Sequence, residues 1–223
     1  MVTLPLPSSE SEHADDQPTQ VVVLPNISWQ TYQAMLADMG DHRATRLAYN
    51  LGVLTLKMPS KLHEIVNRLL ARIVTALTEE LGLDVVNVGS TTLNREDLKK
   101  GVEPDTGFYI QNAALLEGLD PEIPDNLPPD LVVEVAITSP STARTQIYQA
   151  LGVLEVWRYT QRQGLVMYQL QSGTYIRQDT SLAFSTLSTQ QLNLFLAQRQ
   201  TQSENQVIRA VRDWAKSHKP SDF

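Results

Sequence analysis

Apolar residues recur along this chain with two spacings, and the helical spacing predicts five helices. Ser28 stands before an apolar stripe that Gly40 ends, and Ser60 stands before a longer stripe that ends at Gly82. A serine is a preferred helix cap, and a glycine commonly follows the last helical turn. The predicted helices cover residues 29–39, 61–81, 142–151, 187–196 and 204–216.

Shorter alternating or continuous apolar runs predict strands. Single strands are predicted at 84–88, 106–111, 131–137 and 154–159, and hairpins at 46–56 and 165–177. The run 131–137 is apolar on both faces, which is typical of a strand in the middle of a sheet. From residue 60 to residue 159 the order is helix, three strands, helix and strand. This order predicts an α/β (α+β) fold, with a mixed central sheet flanked by helices.

The domain organisation follows from where these patterns begin and end. Residues 1–20 are rich in Ser, Glu, Asp, Pro and Gln, which predicts a disordered tail. We expect a single domain over residues 21–217, with a core at about 60–160 and both hairpins outside that core. Residues 218–223 form a second predicted tail.

Composition excludes several classes of protein. The 223 residues carry a net charge of −7, which argues against a protein that coats nucleic acid through a broad basic face. An enzyme with a locally basic groove stays possible. The chain has no cysteine, so disulfides and thiolate chemistry are excluded, and a cytoplasmic location is expected. It has no apolar run of bilayer length, so no contact with a membrane is expected.

Two acidic residues carry the candidate chemistry. Asp105 heads one predicted strand, and Glu134 lies inside the valine-rich strand that follows. A carboxylate among buried valines is costly unless something compensates its charge, so two of them on adjacent strands suggest a metal site. Two alternatives stay open: Asp105 as a turn residue, and Glu134 in a buried salt bridge to Arg144 or Arg158.

Three further polar residues lie near these positions in the pattern. Glu64 is in the first turn of the long helix, where the helix dipole alone would favour an acid. His63 beside it is expected to be an interface histidine. Asp130 falls on the same face of its strand as Glu134, and it could join an ion directly or through a water.

Several stretches of the sequence, taken in order and with their spacing, resemble a known family. They lie at residues 49–52, 59–64, 101–110, 128–135 and 148–158. The chain is similar over about residues 28–217 to a restriction-endonuclease-like family abundant in photosynthetic bacteria. That family is a branch of the PD-(D/E)XK nuclease superfamily.

The resemblance implies Mg²⁺-dependent (or Mn²⁺-dependent) cleavage of phosphodiester bonds in DNA. Asp105 matches the aspartate of the family's Pro-Asp motif, Glu134 the acid of the next strand, and Glu64 a glutamate supplied by the first helix. The three would be the metal ligands. The resemblance also implies a two-fold homodimer.

The sequence departs from the superfamily pattern at one place. A lysine normally stands two residues after the second acid, and here that residue is Ala136. In relatives whose lysine lies on the following helix, the corresponding residues here are Arg144 and Gln146. Arg144 could stabilise charge on the phosphoryl group, but a guanidinium cannot act as a base at ordinary pH. Two hypotheses follow: a metal-dependent endonuclease, or a nuclease-fold binding or regulatory protein that does not cleave.

Overall fold

Two sheets and five α-helices make up the protein in the computed structural model, which describes residues 19–40, 44–116, 118, 121–137 and 142–219. The helices are α1 Trp29–Met39, α2 Lys61–Leu81, α3 Thr142–Leu151, α4 Thr189–Gln198 and α5 Glu204–Ser217. The strands are β1 Gln20–Leu24, β2 Arg46–Asn50, β3 Val53–Met58, β4 Val86–Gly89, β5 Leu93–Arg95, β6 Lys100–Val102, β7 Thr106–Tyr109, β8 Leu131–Val135, β9 Glu155–Thr160, β10 Gly164–Gln171 and β11 Thr174–Gln178. A short 3₁₀ helix covers Ala113–Leu115.

The start of α2 shows how local sequence sets the boundaries that matter for the site. The hydroxyl of Ser60 accepts a hydrogen bond from the backbone N–H of His63 at 3.2 Å. Gly82 ends the helix with φ at 72°, in the left-handed region that favours glycine. The cap fixes His63 and Glu64 in the first turn, as the sequence predicts.

The larger sheet has six strands in the order β11-β10-β9-β8-β7-β4. The pair β8 and β9 is parallel and the other pairs are antiparallel, and α3 makes the crossover between β8 and β9. Core residues of α2, α4 and α5 pack with one face of the sheet, and core residues of α3 pack with the other. The predicted mixed sheet with helices on both sides is confirmed.

The predicted placement of both hairpins outside the core is wrong for the second one. Strand β10 pairs along its length with β9, so the 165–177 hairpin continues the central sheet. Its side chains Leu165 and Met167 are fully buried in the main core, because the apolar alternation of this hairpin matches that of β9.

The first hairpin belongs to a second sheet of five strands, in the order β1-β3-β2-β6-β5. Strands β5 and β6 were not predicted, because three residues each are too few to show a strand pattern. Strand β1 was also missed: its apolar run Gln20–Leu24 was taken only as the start of the domain. Helix α1 covers one face of this sheet through a cluster that includes Trp29, Tyr32 and Tyr49. The rings of Tyr32 and Tyr49 stack with centroids 5.0 Å apart.

Most of the two predicted tails lies outside the described residues. Of residues 1–20 only Thr19 and Gln20 are described, and Gln20 begins β1 opposite Met58. Of residues 218–223 only His218 and Lys219 are described. In the described part of the chain, no helix is both long and apolar enough to cross a membrane.

Candidate functional site

The two acids singled out from the sequence meet at one end of the central sheet. Asp105 immediately precedes β7, and Thr106 is paired with Val133 of β8, so the next step along the ladder brings Asp105 beside Glu134. The backbone N–H of Val135 donates to Asp105 Oδ2 at 2.7 Å. Both side chains are buried, with about 2% of each residue exposed. The prediction that they lie on neighbouring strands is confirmed.

A lysine from the second sheet lies between these acids. Lys57 on β3 donates to Asp105 Oδ1 at 3.1 Å and Oδ2 at 2.9 Å, and its Nζ is 3.6 Å from Glu134 Oε2. It also donates to the carbonyl oxygen of Val135 at 3.0 Å. The residue is 6% exposed. The site therefore contains a lysine, although the usual position for one is Ala136.

Helix α3 holds Glu134 from the other side. Arg144 donates through Nε and Nη2 to Glu134 Oε1 at 3.0 and 2.8 Å, and the hydroxyl of Tyr148 donates to the same oxygen. Burial lowers the pKa of Arg144, but Glu134 and the neighbouring Tyr148 and Asp105 together raise it more, so the guanidinium stays charged. Burial and the neighbouring Glu134 raise the pKa of Tyr148. The salt bridge that was left open as an alternative for Glu134 is therefore present, with Arg144 as the partner.

One nitrogen of the Arg144 guanidinium has no hydrogen-bond partner among the described residues. Its Nη2 also donates to the carbonyl oxygen of Glu103, whereas its buried Nη1 has no hydrogen-bond partner in the described part of the chain. A buried N–H of this kind is costly unless something binds it. Because Arg144 lines a cavity beside the acids, an anionic group entering that cavity could satisfy Nη1.

The surroundings of Asp105 keep it ionised. Burial alone would raise its pKa, but the charge of Lys57 and the hydrogen bond and charge of His63 hold the pKa far below its ordinary value. His63 Nε2 is 2.9 Å from Asp105 Oδ2. The amide of Asn67 donates to the backbone carbonyl of Asp105 at 3.1 Å. Helix α2 thus fixes both the side chain and the backbone of this residue.

Glu64 is predicted to be a metal ligand, but in the structure His63 lies between it and Asp105. The Glu64 carboxylate is 3.6 Å from His63 Nδ1 and is 36% exposed, so it is linked to Asp105 through the imidazole. The neighbouring imidazole of His63 lowers the pKa of Glu64. Within the described ranges, no three His, Cys, Asp or Glu side chains are gathered as a metal cluster. His63, expected only as an interface residue, contacts the site directly.

Asp130 has a different role from the one considered for it. Its Oδ2 accepts hydrogen bonds from the backbone N–H groups of Ile110 at 2.7 Å and Asn112 at 2.9 Å, and its Oδ1 accepts from the Asn112 amide. It lies at the opposite end of β8 from Glu134, four residues away along a strand that rises about 3.3 Å per residue. Asp130 closes the loop after β7 and is not part of the candidate site.

A cavity of about 260 Å³ opens beside the acids, between the second sheet and α3. Its walls are formed mainly by small apolar side chains, and Lys57, Glu134 and Arg144 supply charge at one end. Val53, Thr55 and Lys57 alternate along the cavity face of β3, while Leu54 and Leu56 point to the α1 side. The pleat of β3 therefore directs Lys57 into the site.

The acceptors around the Lys57 ammonium fit a hard cation. They are two carboxylates and one backbone carbonyl, all oxygen, which is the ligand chemistry that Mg²⁺ prefers. The sequence did carry one signal for Lys57: a basic residue inside an apolar strand, just before the helix with His63 and Glu64. Lys57 and Asp105 are 48 residues apart in the sequence, so the sequence pattern did not predict their contact.

Of the comparisons with known proteins, the family model agrees with the resemblance seen in the sequence. No curated protein matches the chain. Among solved structures, the chain is similar to the crystal structure of a "putative nuclease belonging to DUF820" from Anabaena variabilis, with 16% sequence identity and a TM-score of 0.48, over 75% of this chain and 98% of that one. The family model "Uma2: Putative restriction endonuclease" matches residues 29–202. That match spans most of the chain, so this protein belongs to the Uma2 family, the restriction-endonuclease-like family that the resemblance predicted.

Proposed function

We propose that this protein is a divalent-metal-dependent endonuclease that hydrolyses phosphodiester bonds of DNA. The observation that carries the proposal is the meeting of Asp105, Glu134 and Lys57 at the end of the central sheet. Two acids and a lysine are the residue types that the PD-(D/E)XK resemblance implies. Lys57 offers the missing lysine from a different strand.

Each residue has a role that follows from its contacts. Asp105, Glu134 and the carbonyl of Val135 would hold Mg²⁺ or Mn²⁺, and Glu64 stays a predicted ligand from the first helix. When bound, the ion would polarise the scissile phosphate and lower the pKa of a water. Lys57 places a positive charge where charge develops on the phosphoryl oxygens.

Arg144 acts in two ways in this proposal. Its Nε and Nη2 hold the Glu134 carboxylate in position, as Tyr148 does. Its unpartnered Nη1 would donate to a phosphoryl oxygen in the cavity. A charge-assisted hydrogen bond of this kind positions the phosphate without any change in the ionisation of the guanidinium.

One observation favours the alternative, a nuclease-fold protein that binds or regulates without cleaving. Both acids are already neutralised, Asp105 by Lys57 and Glu134 by Arg144. A site of this kind could hold a nucleic-acid phosphate through Lys57 and Arg144 and have no hydrolytic step. A homodimer and a cytoplasmic location stay predictions under either function; a monomeric mass in solution scattering would contradict the first.

Incubation of the purified protein with supercoiled plasmid DNA and Mg²⁺ or Mn²⁺ tests the proposal. We expect nicked and linear products that chelator abolishes and that Asp105→Asn and Glu134→Gln lose. Glu96→Gln, at an exposed carboxylate outside the site, should cleave like the wild type. Cleavage in chelator, or full activity in both acid variants, would refute the proposal. Binding of DNA without cleavage in any metal would support the alternative.

A further inference from the structure

Lys57 occupies the set of oxygen atoms that a metal ion would need. Its ammonium contacts both oxygens of Asp105, the carbonyl of Val135 and, at 3.6 Å, a carboxylate oxygen of Glu134. An ammonium ion and a hard dication compete for the same kind of acceptor. We infer that the Lys57 ammonium is an internal competitor of the divalent ion, filling the cation position in the metal-free protein and leaving it when the ion binds. This inference rests on the proposed function.

The charges of the site agree with a cation already in place. Lys57 and Arg144 offset Asp105 and Glu134 one for one, so these four residues sum to zero. A dication added without any movement would lie within a few ångströms of the ammonium and would be strongly repelled. Departure of Lys57 removes that repulsion and also removes one donor from Asp105 and from the carbonyl of Val135.

Arg144 is not suited to the same exchange. Its guanidinium is fixed by the carboxylate of Glu134 and by the carbonyl of Glu103. A lysine has a single charged group on a flexible stem with four rotatable bonds, so it can move while its backbone stays in the strand. Of the two cations, Lys57 is the one that can leave.

The structure provides a place for the displaced side chain. Lys57 lines the cavity of about 260 Å³ that opens between β1, β3 and α3. A rotation of the stem would carry the ammonium into this space, which Arg144 also lines. A phosphate there would be bound by both groups, so displacement by the ion would move Lys57 to where its proposed catalytic role requires it.

Calorimetric titration with Mn²⁺ measures the competition directly. Lys57→Met should bind Mn²⁺ at least about tenfold more tightly than the wild type, because the repelling charge is gone. Its cleavage of plasmid DNA should nevertheless fall. The matched control is Lys100→Met, a lysine of the same sheet that donates to Asn50 and should leave Mn²⁺ affinity unchanged. Equal or weaker binding by Lys57→Met, or no binding by either protein, would overturn the inference.

A second measurement uses the unaltered protein, in case Lys57→Met does not fold. Labelling by an amine-reactive ester, followed by mass spectrometry, should modify Lys57 slowly in chelator and faster in saturating Mn²⁺. Lys99, whose side chain is 45% exposed, is the internal reference and should label equally in both. Labelling of Lys57 that does not respond to Mn²⁺ would refute the displacement.

The two proposals can fail separately. If Mn²⁺ binds more tightly to Lys57→Met but the wild type cleaves nothing, the proposed function is wrong and the competition stands. If the wild type cleaves DNA but Lys57→Met binds Mn²⁺ no more tightly, the function stands and the competition is wrong.

Discussion

Strand β8 carries a buried acid at each end, and the two are held by different chemistry. Asp130 receives hydrogen bonds from two backbone N–H groups and one amide, all of them neutral. Glu134 faces the guanidinium of Arg144 and the ammonium of Lys57. Both acids are about 2% exposed. Burial therefore does not distinguish the two acids, but the charge of their partners does.

The two arrangements differ in whether the donors around the acid can be replaced by a ligand. Neutral backbone donors are fixed by the chain and have no other position to take, so Asp130 is permanently satisfied. An ammonium group on a flexible side chain, such as that of Lys57, could be replaced by another cation as proposed above, and the oxygens near Glu134 would then be available to a ligand. Four experiments test this contrast between the two ends of β8.

The largest difference is expected in DNA cleavage. Glu134→Gln should lower the rate by about a hundredfold or more, because it weakens the binding of the ion that would stabilise the developing charge. Asp130→Asn should retain wild-type activity per folded molecule, since its site is at the other end of the strand. Plasmid nicking rates, corrected for the folded fraction from circular dichroism, provide the measurement. Equal losses in both variants would remove the contrast.

Replacing Asp130 should lower the stability of the protein rather than its activity. Asp130→Ala leaves the buried N–H of Ile110 without an acceptor and removes charged hydrogen bonds to Asn112, so we expect a loss of about 3–5 kcal/mol in the free energy of unfolding. Urea unfolding followed by fluorescence measures it. Asp130→Asn, which keeps one acceptor oxygen, is the control and should lose less. A loss below 1 kcal/mol, on the order of a single ordinary hydrogen bond, would contradict the structural role.

A second substitution should restore the stability that is lost on replacing Glu134, whereas no such rescue is expected for Asp130. Glu134→Leu leaves the Arg144 charge buried without its partner, which is destabilising. Combining it with Arg144→Met removes both charges, and the double variant should recover most of the loss, with a coupling energy of about 2–3 kcal/mol. A double-mutant cycle in urea gives this value. Additive losses would mean that the pair is not coupled.

The smallest expected effect is a change in the free energy of unfolding with pH, caused by the titration of His63. Burial lowers its pKa, but Asp105 and Glu64 raise it more, and the net pKa lies above the ordinary 6.5. A raised pKa means that the folded state binds the proton more tightly, so the stabilisation is fully present below pH 6.5 and is lost as pH rises through the folded pKa. In chelator, His63→Gln should lack this decline in unfolding free energy. A variant with the wild-type decline would refute the assignment.

The elements with the longest patterns were predicted best. The five helices, the valine-rich strand and the convergence of Asp105 with Glu134 follow from apolar period and chain order, and all were confirmed within a few residues. The second sheet was largely missed, because β5 and β6 have three residues each and show no alternation. The family was recognised from the order and spacing of its stretches, and the match over residues 29–202 confirms it.

The sequence by itself determined that an acid pair lies on neighbouring strands, since strand order and side-chain period are local properties of the chain. Only the tertiary structure decided which cations meet those acids. Lys57 and Asp105 are 48 residues apart and belong to different sheets, and their contact depends on how the two sheets pack. The same packing separated Asp130 from Glu134 in role, because each acid takes its character from donors that distant segments bring to it.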